Sequence, residues 1–226
     1  MIRVTDGYSV DRVEGVQYIS HMGSDYDVCN AARVSFDKNA NNYTYEENAK
    51  LIKYLHKHNH WSPFSHCYIK FRFNAPMCIA RQFQKHVVGF AWNEVSRRYV
   101  STDPKFFVLE SFRKRPNNMK QGSTNEGEIP VDGKLLESYI DQAKEHIKDY
   151  QELIRQDVCP EQARMFMPQS MMTQWIWSGS VAAWARFIQL RLDEHAQQEC
   201  HYYANQVLFH LKAKFPECAE VMHANA

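Results

Sequence analysis

The sequence has little glycine or proline and almost no net charge. Its 226 residues include eight of each of those two types, and 27 Lys and Arg residues stand against 26 Asp and Glu residues. This neutrality argues against a general nucleic-acid coat protein, because non-specific DNA binding depends on a large basic excess. With 44% hydrophobic residues, the composition also excludes a disordered or low-complexity protein.

Long apolar runs and paired cysteines are absent as well. No stretch approaches the roughly 18 to 20 apolar residues of a membrane span, and the first residues have no apolar signal core. None of the six cysteines forms a C-x-x-C pair, and no second Cys/His pair at metal-ligand spacing supports the histidines near residue 60. We therefore expect a cytoplasmic protein with reduced thiols, no metal ion, and no membrane or nucleic-acid partner.

The short motifs of several common enzyme classes are also missing. The sequence contains no Walker A motif, no G-x-G-x-x-G fingerprint and no G-x-S-x-G nucleophile elbow. If the chain binds a nucleotide, it does so without the usual glycine loop.

Apolar periodicity predicts mostly helix with a few strands. A capping box at Thr44 and Glu47 starts a helix, and residues 67–74 alternate as a half-buried strand does. The order of elements favours an α+β fold over βαβ repeats. Further helices are predicted over 77–87, over 135–154, from Pro160, and over 180–214 in two pieces broken near Asp193 and ended by Pro216.

The length fits one large domain, and residues 1–226 are predicted to form a single domain. Residues 101–133 have little apolar periodicity and several turn-forming residues, and helical periodicity returns directly after them. They form a variable excursion that is either a lid over a ligand or a tolerated surface loop. The surface loop is the favoured interpretation.

The densest polar segment is 81–99, where four basic residues stand against the single acid Glu94. Within the predicted helix, Arg81 and Lys85 share one face, and like charges on one face cost stability unless an anion compensates them. Phosphate is a suitable anion, because the guanidinium fork binds two of its oxygens. A solvated basic face is the alternative, although the aromatic residues in this segment favour a ligand.

Two other groups of residues could hold a ligand. Residues 58–67 combine histidines with serines in a loop that either packs against a ligand or caps the next strand. Arg186 and Arg191 lie within an otherwise core-like run, and a buried guanidinium costs several kcal/mol unless it is paired. Either Asp193 or Glu194 neutralises these arginines, or a ligand does.

In their order and spacing, these segments resemble the flavin-dependent thymidylate synthases, the ThyX family. The match runs from Ala31 to about residue 205 and misses only the 101–133 excursion. Four segments carry it: Ser62 to His66, Ala80 to Gln82, Asn93 to Tyr99, and Leu190 to Gln197.

The chain departs from the family pattern at two points. The family signature is R-H-R, seven residues, then serine; here Lys85, His86 and Val87 replace the triplet, and eight residues precede Ser96. In the family this triplet contacts the flavin. Ser180, Ala182 and Arg186 likewise stand where the family usually offers Asn and Arg side chains to the flavin.

The resemblance implies two sets of site residues. The nucleotide set is Gln82, Lys85, Glu94, Val95, Ser96, Arg97, Arg98, Arg164 and Arg191. The flavin set is His60, Ser62, Lys85, His86, Val87, Glu94, Ser180, Arg186 and His195.

Roles within the nucleotide set follow from the chemistry of pyrimidine methylation. Carbon transfer to uracil C5 needs an electron-rich ring, and an arginine at the N3/O2 edge would stabilise negative charge there. Arg191 is the candidate for this catalytic role. Arg98 and Arg164 would hold the phosphate, while Gln82 and Ser96 would orient the nucleotide.

The activity implied by the resemblance is reductive methylation of dUMP to dTMP. FAD would be the redox cofactor, NADPH the reductant and methylenetetrahydrofolate the carbon donor. The family assembles as a homotetramer, with helices packed on a mainly antiparallel sheet. Two alternatives remain open: folate- and flavin-dependent uridine methylation of RNA, and nucleotide binding by a non-catalytic relative.

Overall fold

A computed structural model describes residues 3–5, 10–12, 15–100, 102–109, 112–117, 122–123, 128–129 and 133–223. Within these ranges the chain forms eight α-helices: α1 (Asp25–Arg33), α2 (Tyr45–Lys57), α3 (Met77–Phe83), α4 (Gly133–Arg155), α5 (Pro160–Ala163), α6 (Val181–Arg191), α7 (Gln198–Lys214) and α8 (Pro216–His223). The strands of the same ranges are β1 (Arg3–Thr5), β2 (Val10–Arg12), β3 (Val16–Met22), β4 (Tyr68–Pro76), β5 (Phe90–Glu94), β6 (Phe106–Val108), β7 (Phe112–Arg113), β8 (Glu128–Ile129) and β9 (Met172–Ser180).

The main sheet has four antiparallel strands in the order β3-β4-β9-β5. Strands β3 and β4 pair from Val16 opposite Phe73 to Met22 opposite Tyr68, with an irregularity between Tyr18 and Ser20. Smaller sheets join β2-β1-β6 and β7-β8. The predicted α+β fold class is confirmed. Among the described helices, none is both long enough and apolar enough to cross a membrane.

The chain divides into two compact units, each built from three separate stretches of sequence. The first unit comprises the described residues of Met1–Gly15, Asn74–Lys85 and Asn93–Trp175. The second comprises those of Val16–Phe73, His86–Trp92 and Ile176–Ala226.

Aromatic rings fill the core of the second unit. Phe71 on β4 lies 5.0 Å from the ring of Trp184 on α6, and the rings of Trp177 and Trp184 are 4.9 Å apart. The Trp184 indole donates a hydrogen bond to the Ile69 carbonyl at 3.2 Å, so its one polar group is satisfied in the interior. These contacts fix the position of helix α6 on its strands.

The core of the first unit mixes aliphatic and aromatic side chains. Helix α4 buries the stripe of Ala143, Ile147 and Tyr150, and its first two members pack with Phe106 and Met171. This is the apolar face that the predicted long amphipathic helix required.

Several predicted elements are confirmed closely. Thr44 accepts a hydrogen bond from the Glu47 amide, and the Glu47 side chain accepts one from the Thr44 amide, which completes the capping box of α2. Strand β4 alternates as predicted, with buried Ile69, Phe71 and Phe73. Helices α6 and α7 are separated at Asp193, as expected.

The predicted helix over 77–87 is too long, because α3 ends at Phe83. The chain then turns: the Lys85 amide bonds the Gln82 carbonyl, and Gly89 adopts a φ of +79° before β5 begins. This φ is in the left-handed region that glycine enters without steric cost. Lys85 and His86 therefore leave the helix, and the prediction that Arg81 and Lys85 share one helical face is wrong.

Three further expectations need correction. Strands β5 and β9 were not predicted, and Pro216 both follows the end of α7 and begins the additional helix α8. Within the 101–133 excursion, residues 106–108 form β6, which pairs with β1, and Phe106 is fully buried. The surface-loop interpretation is therefore wrong for this strand.

Candidate functional site

A cavity of about 910 Å³ opens in the first unit. Five of the nine methionines of the chain line one part of it, which makes that wall apolar and adaptable. The polar part of the wall is formed by Glu94 at the end of β5 and by Ser96 and Arg97 in the segment that follows it. Thr173 near the start of β9 and Arg164 directly after α5 complete it. Its size and mixed lining suit a small polar ligand with an apolar ring.

Backbone and side-chain hydrogen bonds fix the segment that begins at Glu94. The Thr173 hydroxyl on β9 donates to the Glu94 carboxylate at 2.8 Å. The next amide, of Val95, donates to the Gln174 carbonyl at 2.8 Å. These bonds hold the polar wall of the cavity in place before any ligand arrives.

The arginines of the first unit differ in their contacts. Ser96 Oγ accepts hydrogen bonds from the Arg98 amide at 3.3 Å and from Arg98 Nε at 3.4 Å. The Arg98 guanidinium also lies 3.6 Å from the exposed Glu161 carboxylate. Arg97 donates to the Thr102 carbonyl, and Arg164 is exposed on the cavity wall. Of the predicted nucleotide residues, Glu94 to Arg97 and Arg164 line the cavity, and Arg98 is joined to them through its hydrogen bonds to Ser96.

His86 forms the centre of a second group, in the second unit. Its imidazole lies among the rings of Phe90, Trp177 and Phe187, at 6.5, 6.4 and 5.3 Å between centroids. Arg191 Nε donates to His86 Nε2 at 3.0 Å. Burial, together with the positive charges of Arg191 and Arg186, lowers the pKa of His86 to about 4, so the imidazole is neutral near pH 7.

Arg186 is held by the turn that follows α3. Its Nη2 donates to the Val88 carbonyl at 3.0 Å, and this carbonyl precedes Gly89. A Cβ on Gly89 would lie 3.0 Å from both Ser180 Oγ and Ala183 Cβ, so the turn packs directly against the start of α6. The two arginines of α6 therefore bond a backbone carbonyl and a neutral imidazole.

The remaining predicted flavin residues are mostly exposed. His60 and Ser62 lie on the loop after α2, and Lys85 and Val87 lie on the turn after α3. Ser180, by contrast, is 2% exposed, and its hydroxyl caps α6 by accepting from the Ala183 amide at 3.2 Å.

His195 and Gln82 complete the predicted residues. His195 is exposed in the bend between α6 and α7, where its Nε2 lies 3.5 Å from the Glu194 carboxylate. Gln82 is half-buried on the last turn of α3.

Sequence reasoning missed Thr173, Glu161 and Gly89 as parts of these groups. Thr173, Trp175 and Trp177 lie at alternate positions of β9 and are buried. Such alternation is typical of a strand and could have been recognised in the sequence. Glu161 follows the predicted Pro160 at a helix start, but its contact with Arg98 depends on the fold. The turn at Gly89 carried a local signal, because an isolated glycine before an aromatic run is a common turn position.

Comparison with known proteins identifies the family. Residues 17–217 match the family model described as thymidylate synthase complementing protein. The flavin-dependent thymidylate synthase of Thermosipho africanus is 33% identical over 201 residues, which cover 89% of this chain and 87% of the relative. The enzyme of the same name from Dictyostelium discoideum is 32% identical over 97% of this chain and 72% of its own length.

The chain belongs to the flavin-dependent thymidylate synthase family. Its relatives in this family are methyltransferases, and the family name specifies a flavin. A solved structure agrees: the UMP/dUMP methylase PolB from Streptomyces cacaoi, bound with 5-Br dUMP, superposes with a TM-score of 0.83 at 26% identity. The match covers 92% of this chain and 94% of that structure. The resemblance deduced from the four sequence segments is therefore confirmed.

The side chains of the second unit fit a flavin. A flavin offers a planar apolar ring, carbonyl acceptors along one edge, and a phosphate chain. The structure supplies a guanidinium donor at Arg186, and Val87 and Val88 present apolar surface at 70% and 69% exposure. This donor set matches a ligand with a planar apolar part and an anionic part.

We expect a Gly89→Ala substitution to destabilise the chain by about 1–2 kcal/mol, because the added Cβ would strain a residue at positive φ and crowd Ser180 and Ala183. Urea denaturation measures the loss. Gly133→Ala is the matched control, because a Cβ at Gly133 meets no atom within 4 Å. Equal stability of the two variants would contradict this account of the turn.

Proposed function

We propose that this chain converts dUMP to dTMP by reductive methylation, with methylenetetrahydrofolate as carbon donor, FAD as redox cofactor and NADPH as reductant. The main support within the molecule is the cavity of the first unit, whose polar wall combines the Glu94 carboxylate, the Ser96 hydroxyl and the Arg164 guanidinium. Family membership supports dUMP as the substrate.

The phosphate of dUMP is assigned to Arg98 and Arg164. Arg98 already bonds an anion in the form of the Glu161 carboxylate, and a phosphate dianion is a stronger partner for the same guanidinium. Gln82, Lys85, Val95 and Arg97 complete the proposed nucleotide contacts.

Ser96 is assigned to binding and not to covalent catalysis. Its oxygen accepts two N–H groups of Arg98, so it orders the phosphate-binding arginine. Glu94, held by Thr173, supplies an acceptor for the N–H and O–H groups of the nucleotide.

Arg191 is the proposed catalytic residue. Carbon transfer needs an electron-rich uracil ring whose C5 attacks the one-carbon donor, and a fixed guanidinium at the O2/N3 edge stabilises the negative charge of that activated ring. The C5 proton then leaves, and the methylene group is reduced to a methyl group as tetrahydrofolate departs. When bound, reduced flavin supplies the hydride for that last step.

The proposed flavin contacts are those expected from the sequence, namely His60, Ser62, Lys85, His86, Val87, Glu94, Ser180, Arg186 and His195. We propose that His60, Ser62, Lys85 and Val87 act through their exposed side chains, and Arg186 through its guanidinium. Ser180 contributes by capping the helix that carries Arg186 and Arg191.

We also propose that residues 1–226 act as one functional domain in a cytoplasmic homotetramer. Because each compact unit draws on three stretches of chain, no single cut separates them into two continuous segments. Exposed apolar side chains such as Val34, Phe36 and Phe209, at 71%, 75% and 69%, support self-association.

The direct test of the proposed function is methyl transfer by the purified protein loaded with FAD. With NADPH and methylenetetrahydrofolate labelled in its methylene carbon, we expect label in dTMP when dUMP is supplied. Reactions with UMP or with RNA in place of dUMP run in parallel. Label only in RNA would favour the RNA methylase alternative, and dUMP binding without NADPH oxidation would favour a non-catalytic relative.

Loss of a phosphate-binding arginine is expected to weaken dUMP binding selectively. Arg98→Gln and Arg164→Gln should each raise the Kd of dUMP about 10- to 100-fold, since a charge-assisted hydrogen bond contributes about 1.5–3 kcal/mol. Calorimetric titration measures this. Deoxyuridine, which lacks the phosphate, should bind both variants as it binds the original chain. An equal loss for both ligands would remove the assignment.

An Arg191→Ala variant is expected to keep its fold but to lose turnover. The expected fall in kcat is about 100- to 1,000-fold, the range for removing one donor that stabilises transition-state charge. Single-turnover measurements with pre-reduced enzyme check it. Retention of full kcat would show that another residue stabilises the pyrimidine.

A further inference from the structure

We propose that His86 is a positioning residue for Arg191, accepting a hydrogen bond that fixes the guanidinium in the orientation needed for pyrimidine activation. This inference rests on the proposed function and adds a role for His86 beyond flavin contact. The juxtaposition that carries it joins the turn after α3 to the last residue of α6.

The geometry of the pair sets the protonation of both residues. An arginine side chain is always protonated in a protein and only donates hydrogen bonds. Because Arg191 Nε lies 3.0 Å from His86 Nε2, that imidazole nitrogen must carry the lone pair. The imidazole is therefore neutral, with its proton on Nδ1.

The surroundings of His86 hold the imidazole in one place. Rings from three different elements lie around it: Phe90 on β5, Trp177 on β9 and Phe187 on α6. Trp177 and Phe187 are fully buried and contact each other at 5.2 Å. A side chain confined by rigid rings is a fixed acceptor, so it can set the direction of a longer and more flexible partner.

The charges facing His86 keep it in the accepting form. The cations that face His86 are Arg186 and Arg191 of α6, and the three aromatic rings around the imidazole carry no charge. These cations and the burial of the ring bring the His86 pKa to about 4. The hydrogen bond to Arg191 therefore persists at every pH above about 5.

Fixing Nε fixes the plane of the whole guanidinium group. Its terminal nitrogens then lie in a set direction, which is what stabilisation of charge on a pyrimidine edge demands. A misplacement of about 1 Å in such a group can cost about 100-fold in rate. Loss of the His86 acceptor should therefore act on kcat and leave the KM for dUMP nearly unchanged.

Two substitutions at His86 separate hydrogen bonding from packing. His86→Phe keeps a ring among the aromatic residues but removes the acceptor, whereas His86→Gln places an amide oxygen near the position of Nε2. At saturating FAD, with flavin occupancy measured by absorbance, we expect His86→Phe to lower kcat about 10- to 100-fold. The KM for dUMP should change less than about 3-fold, and His86→Gln should recover most of the kcat.

A double-mutant cycle tests whether His86 acts through Arg191. In an Arg191→Ala background, His86→Phe should change kcat less than about 2-fold, because the residue that it positions is already gone. Additive losses would overturn the proposal, and so would an equal impairment of the Phe and Gln variants.

Nitrogen-15 NMR of the histidine side chains provides a readout that needs no methylation activity. The proposal expects His86 to show the Nδ1–H tautomer, with Nε2 unprotonated from pH 8 down to about 5. In Arg191→Leu, the Nε2 resonance should shift as its hydrogen-bond donor is lost. An Nε2–H tautomer, or titration near the ordinary value of about 6.5, would overturn the proposal even if a variant failed to fold. If the wild-type chain shows this tautomer but makes no dTMP, the proposed function fails and the pairing stands.

Discussion

Helix α6 depends on the burial of one side chain, Trp184. Its indole contacts Phe71 and Trp177 edge-on and donates its N–H to the Ile69 carbonyl. Edge-to-face aromatic pairs add about 0.5–1.5 kcal/mol each beyond the burial of area, so the helix has little freedom to rotate or slide. Because Arg186 and Arg191 lie on this helix, the aromatic packing sets where both guanidinium groups are placed.

Although the total charge of the chain is near zero, two cationic side chains of α6 donate hydrogen bonds to neutral acceptors. Arg186 bonds a backbone carbonyl and Arg191 bonds an unprotonated imidazole. Neither of these two hydrogen bonds brings a negative charge to the arginine. Arg98 differs because it bonds the exposed Glu161 carboxylate, and an exposed pair of this kind contributes only about 0–1 kcal/mol. A phosphate can therefore displace Glu161 at little cost.

Local signals explain which parts of this structure could be predicted from the sequence. The capping box at Thr44 and the alternation along β4 lie within a few residues, so they were readable directly. Strand β9 also carries a local signal, the alternation of Thr173, Trp175 and Trp177, but it was not among the predicted elements. The approach of Gly89 to Ser180 and Ala183 joins residues that lie far apart in the chain. Contacts between residues far apart in the chain leave no periodic pattern in the sequence. The ion pair between Arg98 and Glu161 is another contact of this kind.

The changed triplet at residues 85–87 is consistent with this architecture. On the turn after α3, the first and third side chains, Lys85 and Val87, are exposed, while His86 between them points among aromatic rings. The two changed positions of the triplet are therefore on the exposed side of the turn. The middle position is constrained differently, because its ring must fit the aromatic surroundings and accept from Arg191. The histidine between two changed neighbours is thus distinguished from them by an inward-facing side chain with aromatic and hydrogen-bond contacts.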